Sequence, residues 1–123
     1  MKGIKKMDLE TYLSNIERLK IELNYQTYYN DFDLHQFLLE NGLEPSEKYS
    51  KSQHQAQLLQ TVIDILESLM NNIDNFRKVQ TEFTTTTEAY SYLKDRINQI
   101  ERKIASIPNI DITTSNVTFM YRS

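Results

Sequence analysis

The chain of 123 residues contains no cysteine, so disulfides and thiolate metal sites are excluded from its chemistry. It contains no tryptophan, and only two glycines and two prolines. With Gly3 and Gly42 alone, no glycine-rich loop can cradle a phosphate, and no Gly-x-Ser-x-Gly turn can expose a nucleophilic serine. Long apolar runs are also missing. The longest strictly apolar stretches reach three residues, too few for a transmembrane helix. The first ten residues have alternating charge and no apolar centre, so they do not read as a signal peptide, and an intracellular protein is expected. Asn116-Val117-Thr118 therefore reads as a chance match to the glycosylation sequon.

Charge of one sign is not in large excess. Fourteen basic and seventeen acidic residues give a net charge of −3, which argues against a dedicated nucleic-acid binder. The apolar fraction of 39 % is somewhat low for a self-sufficient globule, so the fold is expected to be extended or its core completed by a partner.

What the chain does have is helical periodicity. Asp8 is positioned to cap a first helix, in which Leu9, Leu13, Ile16, Leu19 and Leu23 recur at steps of three and four until about Asn24. An aromatic stretch follows with Tyr25, Tyr28 and Tyr29. Asp31 and Asp33 offer the next cap, and Leu34, Phe37 and Leu38 form the inner side of a short helix. Asn41-Gly42 ends that helix, Pro45 prevents its resumption, and Leu43 is expected to fold back onto it. Ser50 and Gln53 match a capping box for a third helix. Its stripe of Ala56, Leu59, Val62, Ile63, Leu66, Leu69, Met70 and Ile73 marks it as the central element, weakened at Asn71-Asn72.

Residues 79–87 are rich in threonine, whose β-branched side chain favours extended backbone, so a link or short strand is expected through Val79 and Phe83. Thr87 is the expected cap of the last helix. There Tyr90, Leu93, Ile97, Ile100, Ile104 and Ile107 alternate steps of three and four, the seam of a helix packed lengthwise on another. Pro108 ends it. Beyond, Ile110, Ile112, Val117, Phe119 and Tyr121 alternate with polar residues as in a strand, which needs a partner molecule or the Val79–Phe83 segment to pair with. The fold class read from these patterns is mostly α. A bundle of about four helices (1–108) carries an extended, strand-like C-terminal arm (109–123).

No residue set selects a reaction. His35 and His54 fall in different elements without zinc-site spacing. Asp31 and Asp33 open like a calcium loop, but Gln36 stands where glycine is required and Gly42 where glutamate is. Asp64, Glu67 and Glu101 occupy ordinary helix-surface positions. Lys94, Arg96, Arg102 and Lys103 give the last helix a mildly basic face, balanced by Glu88, Asp95 and Glu101. A non-enzymatic protein without cofactor or metal is expected. Its contact residues are Ile110, Ile112, Val117, Phe119 and Tyr121, then Tyr25, Tyr28 and Tyr29, because tyrosine gives large contact area at low entropic cost.

Three features together carry a resemblance. They are the short helix closing in Leu38-Leu39-Glu40-Asn41-Gly42-Leu43-Glu44-Pro45, then the apolar helix Gln55 to Met70 with its Thr-rich link, and last the helix Thr87 to Ile107 with Tyr90-Ser91-Tyr92-Leu93-Lys94-Asp95-Arg96-Ile97. From Phe32 to Ile107 the chain resembles the small head–tail connector (adaptor) proteins of tailed bacteriophages. The resemblance implies a virion subunit of the neck, made in the host cytoplasm, that forms a homo-oligomeric ring below the portal protein and continues the DNA channel without sequence-specific DNA binding. It also implies terminal arms that clasp the portal and neighbouring subunits, and neighbouring tail or neck proteins as further partners. The first helix and the Tyr25 to Phe32 stretch fall outside it. A phage or bacterial regulator, or an assembly chaperone absent from the finished particle, is the alternative.

Overall fold

The computed structural model of the protein describes residues 12–108. Five helices follow one another: α1 Asn15–Glu22, α2 Asp31–Glu40, α3 Lys51–Met70, α4 Ile73–Val79 and α5 Thr86–Ala105. Apart from an isolated antiparallel bridge between Ser14 and Lys48, no β pairing occurs among the described residues. The mostly helical class expected from the periodicity is therefore the observed one. The expected C-terminal arm lies outside the described residues.

Helix α1 starts at Asn15, well after Asp8, which is itself outside the described residues along with Leu9. The Ser14 hydroxyl accepts the Glu17 N–H at 3.3 Å, and the Glu17 carboxylate accepts the Ser14 N–H at 3.0 Å, a complete capping box. Hydrogen bonding from the Ser14 backbone N–H, and then from the Ser14 side chain, holds the Glu17 carboxyl below its ordinary range. Helix cannot extend back through Leu13, because the Leu13 carbonyl accepts the Tyr49 N–H at 2.8 Å. The free amides of the first turn are taken by the loop before α3. Asn15 N–H donates to the Glu47 carbonyl (2.8 Å), Ile16 N–H to the Pro45 carbonyl (3.0 Å), and the Asn15 side-chain amide to the Glu44 carbonyl (2.8 Å).

Both α1 and α2 end in the same way. In α1, Asn24 takes the left-handed conformation (φ 56°), with Asn24 N–H bonded to the Ile21 carbonyl and Tyr25 N–H to the Lys20 carbonyl. In α2, Gly42 does so (φ 78°), with Gly42 N–H on the Leu39 carbonyl and Leu43 N–H on the Leu38 carbonyl, each 3.0 Å. Leu43 is buried against the helix it closes, as its position after the glycine predicts. The start of α2 differs from expectation. Asn30, rather than Asp31 or Asp33, is the cap, its side-chain oxygen accepting the Asp33 N–H at 2.8 Å. The two aspartates instead occupy the first turn, where carboxylates meet the positive end of the helix dipole.

Helix α3 begins after Ser50 as expected, but the capping box with Gln53 does not form. The Ser50 hydroxyl lies 3.2 Å from that of Ser52 and makes no cap bond. The buried stripe begins at Leu58, and Ala56 is exposed. Leu58, Leu59, Val62, Ile63, Ile65, Leu66 and Leu69 are buried, and α3 packs against each of the other four helices. Thr61 is also buried, its hydroxyl satisfied by the Gln57 carbonyl at 2.8 Å.

The Asn71–Asn72 weakness is a break, where Asn72 leaves helical geometry (φ −140°, ψ 63°) before α4 starts at Ile73. Its Phe76 is fully buried and touches three other rings, with centroids 5.7 Å from Tyr28, 5.4 Å from Phe83 and 6.0 Å from Tyr92. The expected strand through Val79 and Phe83 is replaced by the end of α4 and a loop. Arg77 holds that loop by donating to the Phe83 (3.1 Å) and Thr84 (2.8 Å) carbonyls. Thr85, and not Thr87, caps α5, because its hydroxyl accepts the Glu88 N–H three residues on, at 3.1 Å. The α5 seam is Ala89, Leu93, Ile97 and Ile100, continued by the half-buried Ile104 and Ile107. Tyr90 lies one step around the helix and is 46 % exposed.

Gly42 gives the sharpest test of this arrangement. A β-carbon there would sit 3.1 Å from Nε2 of Gln57, which donates to the Asn41 carbonyl at 3.0 Å, and a left-handed alanine adds its own strain. Gly42→Ala is expected to lower unfolding free energy by about 1–2 kcal/mol, read from urea denaturation; an unchanged midpoint would show that the turn does not hold this conformation.

Candidate functional site

The surface of α2 that faces away from α3 is the least expected part of the molecule. Leu34 and Leu38 are buried, and Phe37 packs at the core edge. Phe32, His35 and Leu39 are spaced by three and four residues, which places them on one other side of the helix. Phe32 is 79 % exposed and Leu39 52 % exposed. Beside Leu39 a shallow depression is lined by Ile16, His35, Leu39, Glu44, Pro45 and Ser46. It exists because the first turn of α1 is bonded to the 44–47 turn, which seats Ile16 next to Pro45.

The stretch of sequence that carries this strip is rich in acid. Between Lys20 and Lys48 the chain has no lysine or arginine, but it has Glu22, Asp31, Asp33, Glu40, Glu44 and Glu47. Glu22 is neutralised by Arg18 at 2.8 Å, and Asp31 is paired with Lys20 at 2.9 Å across the α1–α2 gap. The latter pair is exposed and contributes at most about 1 kcal/mol. Asp33, Glu40, Glu44 and Glu47 make no ion pair among the described residues. An exposed apolar strip on an acid-rich helix is suited to holding a complementary chain.

The tyrosines expected to make contacts divide. Tyr25 is 70 % exposed, held outward by its left-handed backbone (φ 59°) at the end of α1. Tyr28 is half-buried against Phe76, and Tyr29 is half-buried with its ring 5.5 Å from that of Phe37 and its hydroxyl bonded to the Ser68 hydroxyl. These two therefore serve the edge of the core, whatever else they touch. Ile110, Ile112, Val117, Phe119 and Tyr121 lie outside the described residues.

The other sequence candidates scatter. At 100° per residue, Lys94, Arg102 and Lys103 point to different sides of α5 and do not form a stripe. Arg96 turns inward, its guanidinium 3.5 Å from the Glu22 carbonyl at the end of α1. His35 edges the α2 depression, whereas His54 lies on the first turns of α3. Among the described residues no group of three or more His, Asp or Glu side chains is close enough to hold a metal ion, and no helix is long and apolar enough to cross a membrane. Phe32 and Leu39 were overlooked because a helix scan looks for the face that points inward. The available signal was the second pair of apolar residues at a separation of seven within a stretch free of lysine and arginine. The chain matches no protein-family model, no curated protein and no solved structure.

Burial pushes the Tyr28 phenol up to about 12, with Tyr92 and Glu82 adding to the shift and Arg96 opposing it. Burial likewise raises Tyr49, opposed by Arg18. A phenol whose pKa is higher folded than unfolded favours the fold fully below its unfolded value near 10. That contribution is lost as pH climbs through the folded value. Stability is therefore expected to fall between pH 10 and about 12. Tyr28→Phe should flatten the fall, as measured by denaturant midpoints across that range; an equally steep fall in the variant would assign it to other groups.

Proposed function

We propose that this chain is a structural subunit that works through protein contacts, self-associating into a ring that docks to a portal. In this reading it is a head–tail connector (adaptor) subunit in the neck of a tailed-phage virion. The observation that carries the reading is the outer face of α2, where Phe32 and Leu39 stand exposed on an acid-rich stretch of the chain. Such a face is costly to leave in water and has no role within the chain's own described core. A ring built from one subunit joins two different patches, so one-signed charge on a face favours a neighbour of opposite sign and disfavours self-pairing of that face. The connector assignment itself is supported by the sequence resemblance from Phe32 to Ile107. The helix closure at Leu38 to Pro45 that forms part of it also builds the floor of the α2 depression. A net charge of −3 suits a channel wall past which DNA slides. Partners in this reading are further copies of the chain, the portal protein and adjoining neck or tail proteins. DNA passes nearby without sequence-specific contact.

The first test is the mass in solution of the chain, alone and mixed with portal rings. A ring, or a complex with the portal, is expected. Phe32→Glu combined with Leu39→Glu should abolish it while changing unfolding free energy by no more than about 0.5 kcal/mol, since both sites are exposed. A wild-type monomer that ignores portal rings overturns the connector reading. Absence from finished particles would favour a regulator or an assembly chaperone.

A further inference from the structure

The closure of α2 holds a pair of residues with chemistry of its own. Asn41-Gly42 is the one place in the sequence where glycine follows asparagine. Glycine has no β-carbon, so its amide nitrogen is open to approach by the side chain before it. In an unfolded chain the Gly42 nitrogen can attack Cγ of Asn41, giving up its proton to water as the new C–N bond forms. The side-chain nitrogen takes up a proton and leaves as ammonia, which closes a succinimide ring. One water then opens the ring at either carbonyl and leaves aspartate or isoaspartate at position 41. In the folded chain each participant is held away from that reaction. The Asn41 side-chain amide donates to the Asp64 carboxylate at 2.9 Å and to the Phe37 carbonyl at 3.1 Å. The Gly42 N–H is committed to the Leu39 carbonyl at 3.0 Å, and the Asn41 carbonyl accepts from Nε2 of Gln57, also at 3.0 Å. Asn41 stands at φ −105° and ψ 16°, a torsion that leaves its β-carbon far from the plane of the Gly42 peptide in which the ring must close.

We propose that Asn41 is a latent deamidation site, shielded by the hydrogen bonds that close α2 and converted when that closure opens. Water is already at hand, since Gly42 is exposed and Asn41 half-buried, so the fold withholds geometry rather than solvent. The rate in the native protein then follows how often the end of α2 opens locally. Conversion runs one way. Aspartate at position 41 loses the donor and sets a second carboxylate against Asp64, where like charges repel. Isoaspartate lengthens the backbone by a methylene at the point where the closure bonds must re-form. Either product weakens the end of the helix that carries Phe32 and Leu39, so a chain that has opened is marked covalently beside its exposed strip. The site stands whether or not that strip serves in a connector, because it rests on the closure bonds alone.

The full chain is incubated at neutral pH with and without denaturing urea, then cut with trypsin. No lysine or arginine lies between Lys20 and Lys48, so residues 21–48 are released as one peptide, in which Asn24 and Asn30 serve as references. Fragmentation locates the amide-to-acid mass shift. In urea, Asn41 is expected to convert about ten-fold or more faster than Asn24 and Asn30, whose following residues carry side chains. Without urea its conversion should be about ten-fold or more slower, because it waits on local opening. Asp64→Ala should speed native conversion several-fold and leave the rate in urea unchanged. Gln57→Ala should act in the same direction, which keeps the test if Asp64→Ala does not fold. Asn41→Asp, the stand-in for the product, should lower the urea midpoint, and adding Asp64→Asn should restore part of it by exchanging donor and acceptor. An Asn41 that stays intact in urea overturns the proposal, as does a native rate equal to the rate in urea. A native rate unmoved by both Asp64→Ala and Gln57→Ala also overturns it, by removing the shield from these bonds. An Asn41→Asp chain as stable as the original would overturn the weakening of α2.

Discussion

The whole fold is organised around one helix. Among the described residues, α3 is the only element that touches all the others, and its seven buried aliphatic residues form the axis on which α1, α2, α4 and α5 are laid. The short helices could not persist alone, because helices of seven to ten residues are far below the length at which isolated helices hold in water. They are fixed by what they bury against α3. Leu19 and Leu23 serve α1, Leu34 and Leu38 serve α2, and Phe76 serves α4. Since α3 can be surrounded by only so many short helices, the remaining helix faces turn to solvent, and the outer side of α2 is the consequence.

The elements read most reliably from the sequence were those whose signal is repeated over many turns. The apolar stripe of α3 runs over about three turns and the seam of α5 over about five, so one misplaced residue does not change their phase. Boundaries set by a single side chain were less legible. Asp31 and Thr87 were each good cap candidates, and in each case a nearby residue of related chemistry, Asn30 or Thr85, took the position. Local chemistry ranks such residues almost equally, and tertiary contacts decide between them. For α1 the decision lies in the Tyr49 amide bonding to Leu13, some 36 positions away in sequence, which no local pattern can announce. Tyr90 and Ala89 show the same limit within α5. Both fit a periodic pattern shifted by one residue, and the small alanine is the one turned inward.

The contact surface was legible for a different reason only in part. Tyr25, Tyr28 and Tyr29 stand together in sequence, but a loop has no fixed period, so nothing in the spacing says which rings turn inward. Phe76 and Ser68, contributed by α4 and α3, recruit Tyr28 and Tyr29, and Tyr25 is left outside by a left-handed backbone that the helix closure imposes. Phe32 and Leu39 were hidden by the success of the inward-facing pattern. Leu34, Phe37 and Leu38 already account for α2 as an amphipathic helix, and the remaining two apolar residues pass as incidental until their exposure is seen.

Charge then gives that exposed strip its meaning. An apolar strip in a neutral surround would attract any other apolar strip, including its own copy, and would invite aggregation. Four carboxylates on the same stretch of chain, without an ion pair among the described residues, make approach of an identical face repulsive within a Debye length of about 8 Å at physiological salt. They leave the strip open to a basic chain. The acids therefore act less as a source of affinity than as a filter on partners, because rim charges govern encounter and selectivity more than tightness. The apolar contact supplies the holding energy at about 25 cal/mol per Å² buried. Because the two contributions come from different residues on the same helix, they can be varied independently. In the proposed reading, Phe32 and Leu39 would set how firmly a chain is held, and Asp33, Glu40, Glu44 and Glu47 which chain it is.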